Sequence, residues 1–169
     1  MTRYIAFLRA INVGGIILPM AELRSLCEEA GLSKVRTYIQ SGNVLFESDK
    51  SEASLVRILE DSLENKKARP IPVIIRTGKE LEAVLSGNPF PHAVPAKVGV
   101  LFFGEALPDD ILKDLDIPGR EEVVVSGREL IIHYPDGMGR SKLKFPKAAS
   151  NGTMRNMNTV AKLAQLSRE

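Results

Sequence analysis

The sequence predicts an α+β fold of two ferredoxin-like halves, βαββαβ over residues 1–76 and βαββα over residues 77–169, with mixed or antiparallel sheets and helices packed on one face. Three observations predict it. Strand-like runs alternate with amphipathic helical stretches. Each half holds two β-rich runs separated by a Ser-Gly turn. The turns lie in matching stretches, Tyr38-Ile-Gln-Ser-Gly-Asn-Val-Leu-Phe46 and Val123-Val-Val-Ser-Gly-Arg-Glu-Leu-Ile131. This echo, added to the repeated element order, implies an internal duplication. The alternative is one compact unit, a larger mixed sheet with helices on one face.

The first half reads element by element. Residues 3–9 are apolar enough for a central strand. Asn-Val-Gly-Gly breaks the chain over residues 10–18, and Pro19 suits the first turn of a helix. Met20, Leu23, Cys27 and Ala30 recur at helical spacing before Gly31 closes the helix. Residues 34–39 and 43–48 form a hairpin around Gln40-Ser41-Gly42. Ser51 caps a helix from 52 to about 66, with Leu55, Ile58, Leu59 and Leu63 inward. Residues 71–76 complete the pattern as a strand.

In the second half Thr77 caps a helix over 78–86. A proline-rich loop from Asn88 to Pro95 follows. Strands are expected at 97–103, 121–126 and 129–134, with a short helix at 108–115 opened by Pro108. Thr153 is expected to cap a last helix to about 167.

Composition sets the class. The chain has 169 residues, 44% hydrophobic and 26% charged, which is too apolar for a disordered chain. Cys27 is the one cysteine, so an intramolecular disulfide is impossible and a reducing, cytoplasmic location is expected. Cys27 lies on an apolar helix face and reads as a buried, inert thiol. No signal peptide or apolar run long enough to span a bilayer is seen, so no membrane role is expected. Residues 137–169 carry seven cations against Glu169 alone, a net of +6 in a chain whose total is +2. Such a basic end either faces an anion or docks on the acidic remainder.

Three polar segments stand out. Arg9, Asn12, Gly14 and Gly15 follow the first strand. Glycine lets backbone N–H groups approach an anion, arginine can grip it, and the helix after Pro19 presents its positive end. The alternative is a tight turn with Arg9 paired to a carboxylate. The Walker ending and the dinucleotide glycine spacing are both absent. Arg140, Ser141 and Lys142 follow a strand near Gly137 and Gly139, a composition that suits an oxyanion cradle or a plain basic loop. Arg155 and Asn158 fall in the first turns expected of the last helix, where Asn156 and Asn158 are weak helix formers. They either meet an anion or satisfy neighbouring backbone. Gln40-Ser41-Gly42-Asn43 reads first as turn chemistry.

Catalytic residues stay unknown. His92 and His133 are isolated, and no Cys or acidic cluster has metal-ligand spacing, so no metal is expected. Asp136 is close enough in sequence to pair with His133, but no serine is marked as a nucleophile. No cofactor is indicated.

Several stretches together resemble the domain-of-unknown-function family numbered 1697, uncharacterised bacterial proteins of about this size. They are Leu8-Arg-Ala-Ile-Asn-Val-Gly-Gly15, Pro19-Met-Ala-Glu-Leu-Arg24, Thr37-Tyr-Ile-Gln-Ser-Gly-Asn-Val-Leu-Phe46, Asn88-Pro-Phe90, Asp136-Gly-Met-Gly-Arg-Ser-Lys-Leu143 and Thr153-Met-Arg-Asn-Met-Asn-Thr-Val160. The resemblance runs nearly end to end and implies a fold but no activity. Met157 stands where the family pattern has Trp. The stretch after Leu143, helix-like in the family, is short here and carries the helix-breaking Pro146.

The leading expectation is a cytoplasmic protein binding a small anionic ligand, a nucleotide or phosphorylated metabolite. Its site would draw on Arg9, Asn12, Gly14, Gly15, Arg140, Ser141, Lys142, Arg155 and Asn158. A nucleic-acid-binding module using the basic end is the alternative, although the sequence lacks the basic-Gly-aromatic pattern of such modules and most rings read as core. An enzyme of unknown class is the third. Oligomeric state is not legible.

Overall fold

The structure, a computed structural model, describes every residue except Val13, Gly14, Gln40 and Ser41, and of Ala148 only the backbone. By internal packing the chain divides into two units. Unit 1 is Met1–Glu82 with Leu163–Glu169, and unit 2 is Ala83–Lys162, where the sequence suggested 1–76 and 77–169.

Unit 1 runs β1 (Thr2–Leu8), α1 (Met20–Glu29), β2 (Ser33–Tyr38), β3 (Asn43–Ser48), α2 (Glu52–Lys67) and β4 (Val73–Thr77). Its sheet is antiparallel in the order β2-β3-β1-β4. Alternation along β1 sends Tyr4, Ala6 and Leu8 to the face covered by Leu23 and Cys27 of α1 and Leu55, Leu59 and Leu63 of α2. Ile5 and Phe7, on the other face, are fully buried too. β1 is a central strand, as its continuous apolar character predicts, and it is buried on both faces. Ser51 caps α2, its hydroxyl accepting from Ser54 N at 3.2 Å. Of the last residues, Arg3 donates through Nη1 to Ser167 O at 2.7 Å, and Arg168 pairs with Glu82 at 2.9 Å.

The chain leaves unit 1 within α3 (Gly78–Ser86), whose start is a reciprocal capping box. Glu80 N donates to Thr77 Oγ1 at 3.1 Å, and Thr77 N donates to Glu80 Oε1 at 2.9 Å.

Unit 2 holds β5 (Val98–Phe102), β6 (Glu122–Ser126), β7 (Glu129–His133) and β8 (Thr153–Asn156). Its sheet is antiparallel in the order β6-β7-β5-β8. Two expectations are corrected here. The helix expected at 108–115 is a run of turns, with i+3→i bonds such as Ile111 N to Pro108 O at 3.1 Å. A segment this short and aspartate-rich does not offset the cost of helix nucleation. The helix expected from Thr153 begins instead at Met157, as α4 (Met157–Ser167). Residues 153–156 pair with β5 as the fourth strand that the βαββα reading lacked. The core of this unit, around Leu101, Leu130 and Ile132, is packed by Leu107, Ile111, Leu143 and Phe145 from irregular segments rather than by the expected helix.

Candidate functional site

One end of the unit 1 sheet gathers segments far apart in sequence. β1 ends beside the start of β4, with Leu8 opposite Val73, and Arg9 N donates to Pro72 O at 3.1 Å. The loop before β3 is there too, since Leu8 N donates to Gly42 O at 2.9 Å. Gly42 has φ +91°, and a Cβ on it would lie 2.8 Å from Ile11 Cδ1. Glycine is required there by both conformation and space.

Two of the described residues after β1 have an unusual backbone. Ala10 and Asn12 both have φ 56°, left-handed backbone that non-glycine residues seldom adopt. Asn12 compensates with both ends of its amide: Nδ2 donates to Leu18 O and Oδ1 accepts from Leu18 N, each at 2.8 Å. Its backbone N–H donates to Ile16 O at 2.8 Å. Beyond this clasp Gly15 is exposed, and a Cβ added to it would stand 2.9 Å from Arg69 Nη1. Arg69 follows the end of α2 and Ala68, a left-handed C-cap with φ 58°. The sequence did not single out Arg69, because only closure of β4 against β1 brings it to the loop. α1 then begins after Pro19 with no side chain capping its first N–H groups. Glu22 in its first turn is ion-paired to Lys67 at 3.0 Å.

Of the predicted residues, Arg9, Asn12 and Gly15 thus share this end of unit 1, while Gly14, like Gln40 and Ser41 of the hairpin, lies outside the described residues. The other five belong to unit 2. Arg140, Ser141 and Lys142 line a recess of about 160 Å3 with Gly119, Glu121 and Asp136. Ser141 Oγ donates to Glu121 Oε1 at 2.7 Å and holds that carboxyl below its ordinary pKa. Asp136 pairs with Arg120, whose Nε donates to Oδ2 at 3.3 Å, and is lowered in turn. His133 instead meets the Phe90 ring at 5.5 Å between centroids. The suggested His133–Asp136 pairing is therefore corrected: the carboxylate is taken by Arg120.

Arg155 lies on β8, half-buried, and its Nη1 donates to Met154 O at 2.8 Å. Burial lowers its pKa to about 10. Asn158 is exposed on α4, but Asn156 is the cap, its Oδ1 accepting from Thr159 N at 2.9 Å. Met157 is buried.

The remaining chemistry is sparse. The Cys27 thiol is buried and pushed up to about 12, first by burial and then by Glu28, so it is not a thiolate near neutral pH. Tyr4, Phe7, Phe46, Phe102 and Phe103 are all buried and present no stacking face for bases, while Tyr38 at the end of β2 is half-buried. Among the described residues, no three His, Cys, Asp or Glu side chains are grouped to hold a metal, and no helix is long and apolar enough to cross a membrane.

Comparison with known proteins adds a family and a structural neighbour. A family model described as "Protein of unknown function (DUF1697)" matches residues 1–130. The two last motif stretches, after residue 130, lie beyond that match. No curated protein matches the chain. The solved structure of conserved bacterial protein SP0830 from Streptococcus pneumoniae is 29% identical, covers 100% of this chain and 99% of its own, and superposes with a TM-score of 0.85.

Proposed function

We propose, from the premise that the chain belongs to the DUF1697 family, that it binds a small anionic ligand, a nucleotide or phosphorylated metabolite, at the Arg9–Leu18 end of unit 1. The carrying observation is the approach of the Arg69 guanidinium to Gly15 beside the Asn12–Leu18 clasp. Asn12 clamps the loop to Leu18, and Gly15 meets the Arg69 guanidinium. Glycine keeps the backbone open to an oxyanion, and arginine adds a charged fork. Arg9 supplies a second cation at the end of β1. The uncapped start of α1 adds a favourable dipole. In this reading Asn12 positions the loop rather than touching the ligand.

For unit 2 the same reading gives Arg140, Ser141 and Lys142 an accessory anion surface, with Arg155 on β8 and Asn158 on α4 as further polar groups of that unit. The carboxylates of Glu121 and Asp136 offset charge in that recess, so the weight falls on unit 1. Two further readings go with this one. The shared strand order and the Ser-Gly echo, whose Gly42 and Gly127 both take positive φ, support two ferredoxin-like copies from a duplication. The single buried thiol suits a cytoplasmic setting.

The test is a thermal-shift screen at low salt with nucleotides, sugar phosphates, carboxylates and short oligonucleotides. A ligand at about 100 times its Kd stabilises by about 2.7 kcal/mol, about 5 to 10 °C for a chain of this length. The rise should vanish in Arg9→Ala and Arg69→Ala. No rise with any anion rejects the reading. A rise with oligonucleotides alone, falling steeply with salt, replaces it with nucleic-acid binding.

A further inference from the structure

β6 ends the unit 2 sheet at an edge, as β2 ends the sheet of unit 1. The two edges occupy the same place in their strand orders and are built differently. β2 has a register shift between Ser33 and Arg36, Lys34 in left-handed backbone at φ 50°, and exposed Lys34 and Arg36 side chains. Bulges and charges of this kind keep an edge from pairing with another chain. β6 lacks them. It pairs with β7 in unbroken register from Glu122 to Ser126, and its centre is Val123-Val124-Val125, a residue type that suits a pleated ladder. Val124 is 37% exposed.

Hydrogen-bond alternation tells which backbone groups face outward. The turn at Gly127-Arg128 makes Ser126 and Glu129 the closing hydrogen-bonded pair. Val124 and Glu122 then also bond to β7, and the N–H and C=O groups of Val123 and Val125 point away from the sheet.

We infer that this edge pairs with the same edge of a second copy of the chain, antiparallel, about a two-fold axis through Val124. Val123 of each copy then lies opposite Val125 of the other, and each pairing exchanges both backbone hydrogen bonds. The two Val124 side chains meet in the non-hydrogen-bonded position, where cross-strand side chains come closest. Self-complementarity selects a second copy as the occupant. Antiparallel self-pairing sets the start of one strand beside the end of the other, so Glu122 lies opposite the partner's Ser126, twice by symmetry. Within the strand no acid faces an acid.

The experiment is sedimentation velocity of the full chain over a concentration series, for wild type, Val124→Lys and Val124→Thr, with amide hydrogen exchange on the same wild-type samples. The wild type should dimerise reversibly. Val124→Lys should raise the dimer Kd by about tenfold or more, and Val124→Thr, still β-branched, should leave it near wild type. Exchange at Val123 and Val125 should slow as concentration rises, while exchange at Val124 stays constant. A wild type that stays monomeric overturns the inference. So does a dimer that survives Val124→Lys, or one without concentration-dependent protection at Val123 and Val125. If Val124→Lys does not fold, wild-type exchange alone decides.

Discussion

Asn12 grips Leu18 by both ends of its side-chain amide, Nδ2 to the carbonyl and Oδ1 to the amide, each at 2.8 Å. One residue thereby closes the loop that the proposed ligand would meet. It does so from a left-handed backbone that Asn tolerates better than most residues. Asn12→Ala removes two hydrogen bonds and leaves the strain. It should destabilise the protein by about 1–3 kcal/mol, read as a lower urea midpoint with an unchanged m-value. An unchanged midpoint would mean that the loop is held elsewhere.

The two hairpin glycines separate strain from space. Gly42 and Gly127 have φ +91° and +59°, but a Cβ would meet Ile11 at 2.8 Å in the first and nothing within 4 Å in the second. Gly127→Ala should cost only the left-handed penalty, about 1 kcal/mol. Gly42→Ala should cost clearly more. Equal unfolding midpoints for the two variants would remove the close approach of the Gly42 loop to Ile11.

Three lowered carboxylates, Asp136 exposed and Glu47 and Glu121 half-buried, set the acid limb of stability. Arg3 lowers Glu47, Ser141 lowers Glu121 and Arg120 lowers Asp136, from ordinary values of 4.5, 4.5 and 3.8. A carboxyl lowered in the folded state favours folding above its ordinary pKa, and that contribution disappears as pH falls through the lowered value. Stability should therefore decline between about pH 5 and 3. Ser141→Ala should return Glu121 towards 4.5 in an NMR titration while leaving Glu47 where it is. A Glu121 unmoved by the variant would show that the hydroxyl is not its partner.

Asn156 rather than Thr153 starts the last helix. Asn156→Ala should cost about 1 kcal/mol through lost capping, with Asn156→Asp close to wild type in thermal unfolding. The same loss from Asn158→Ala, whose side chain is exposed, would contradict this assignment.

Strand and helix positions in unit 1 were legible because periodicity and local turn chemistry agree there. Ser51 and Thr77 are caps in the structure as in the sequence. Unit 2 was less legible for a physical reason. Thr153-Met-Arg-Asn156 has a cap residue and precedes an apolar helical stretch, yet pairing with β5 outweighs local preference. The aspartates from Asp109 to Asp116 look helical in outline but are too short a run to hold a helix. At the candidate site, Arg9 and the glycine-rich loop could be read from motif composition. Arg69 could not, because no local pattern marks it and only tertiary closure brings it to Gly15. The local use of Asn12 was equally hidden, since a side chain that binds its own loop looks the same in sequence as one that binds a ligand.

The most direct measurement is an NMR titration of the amide-labelled full chain with inorganic phosphate, for wild type and Arg69→Ala. The account predicts saturable shifts of the Arg9, Gly15 and Arg69 amides in the wild type, lost in the variant. Shifts confined to Arg140, Ser141 and Lys142, or none in either protein, would contradict an anion site at this end of unit 1.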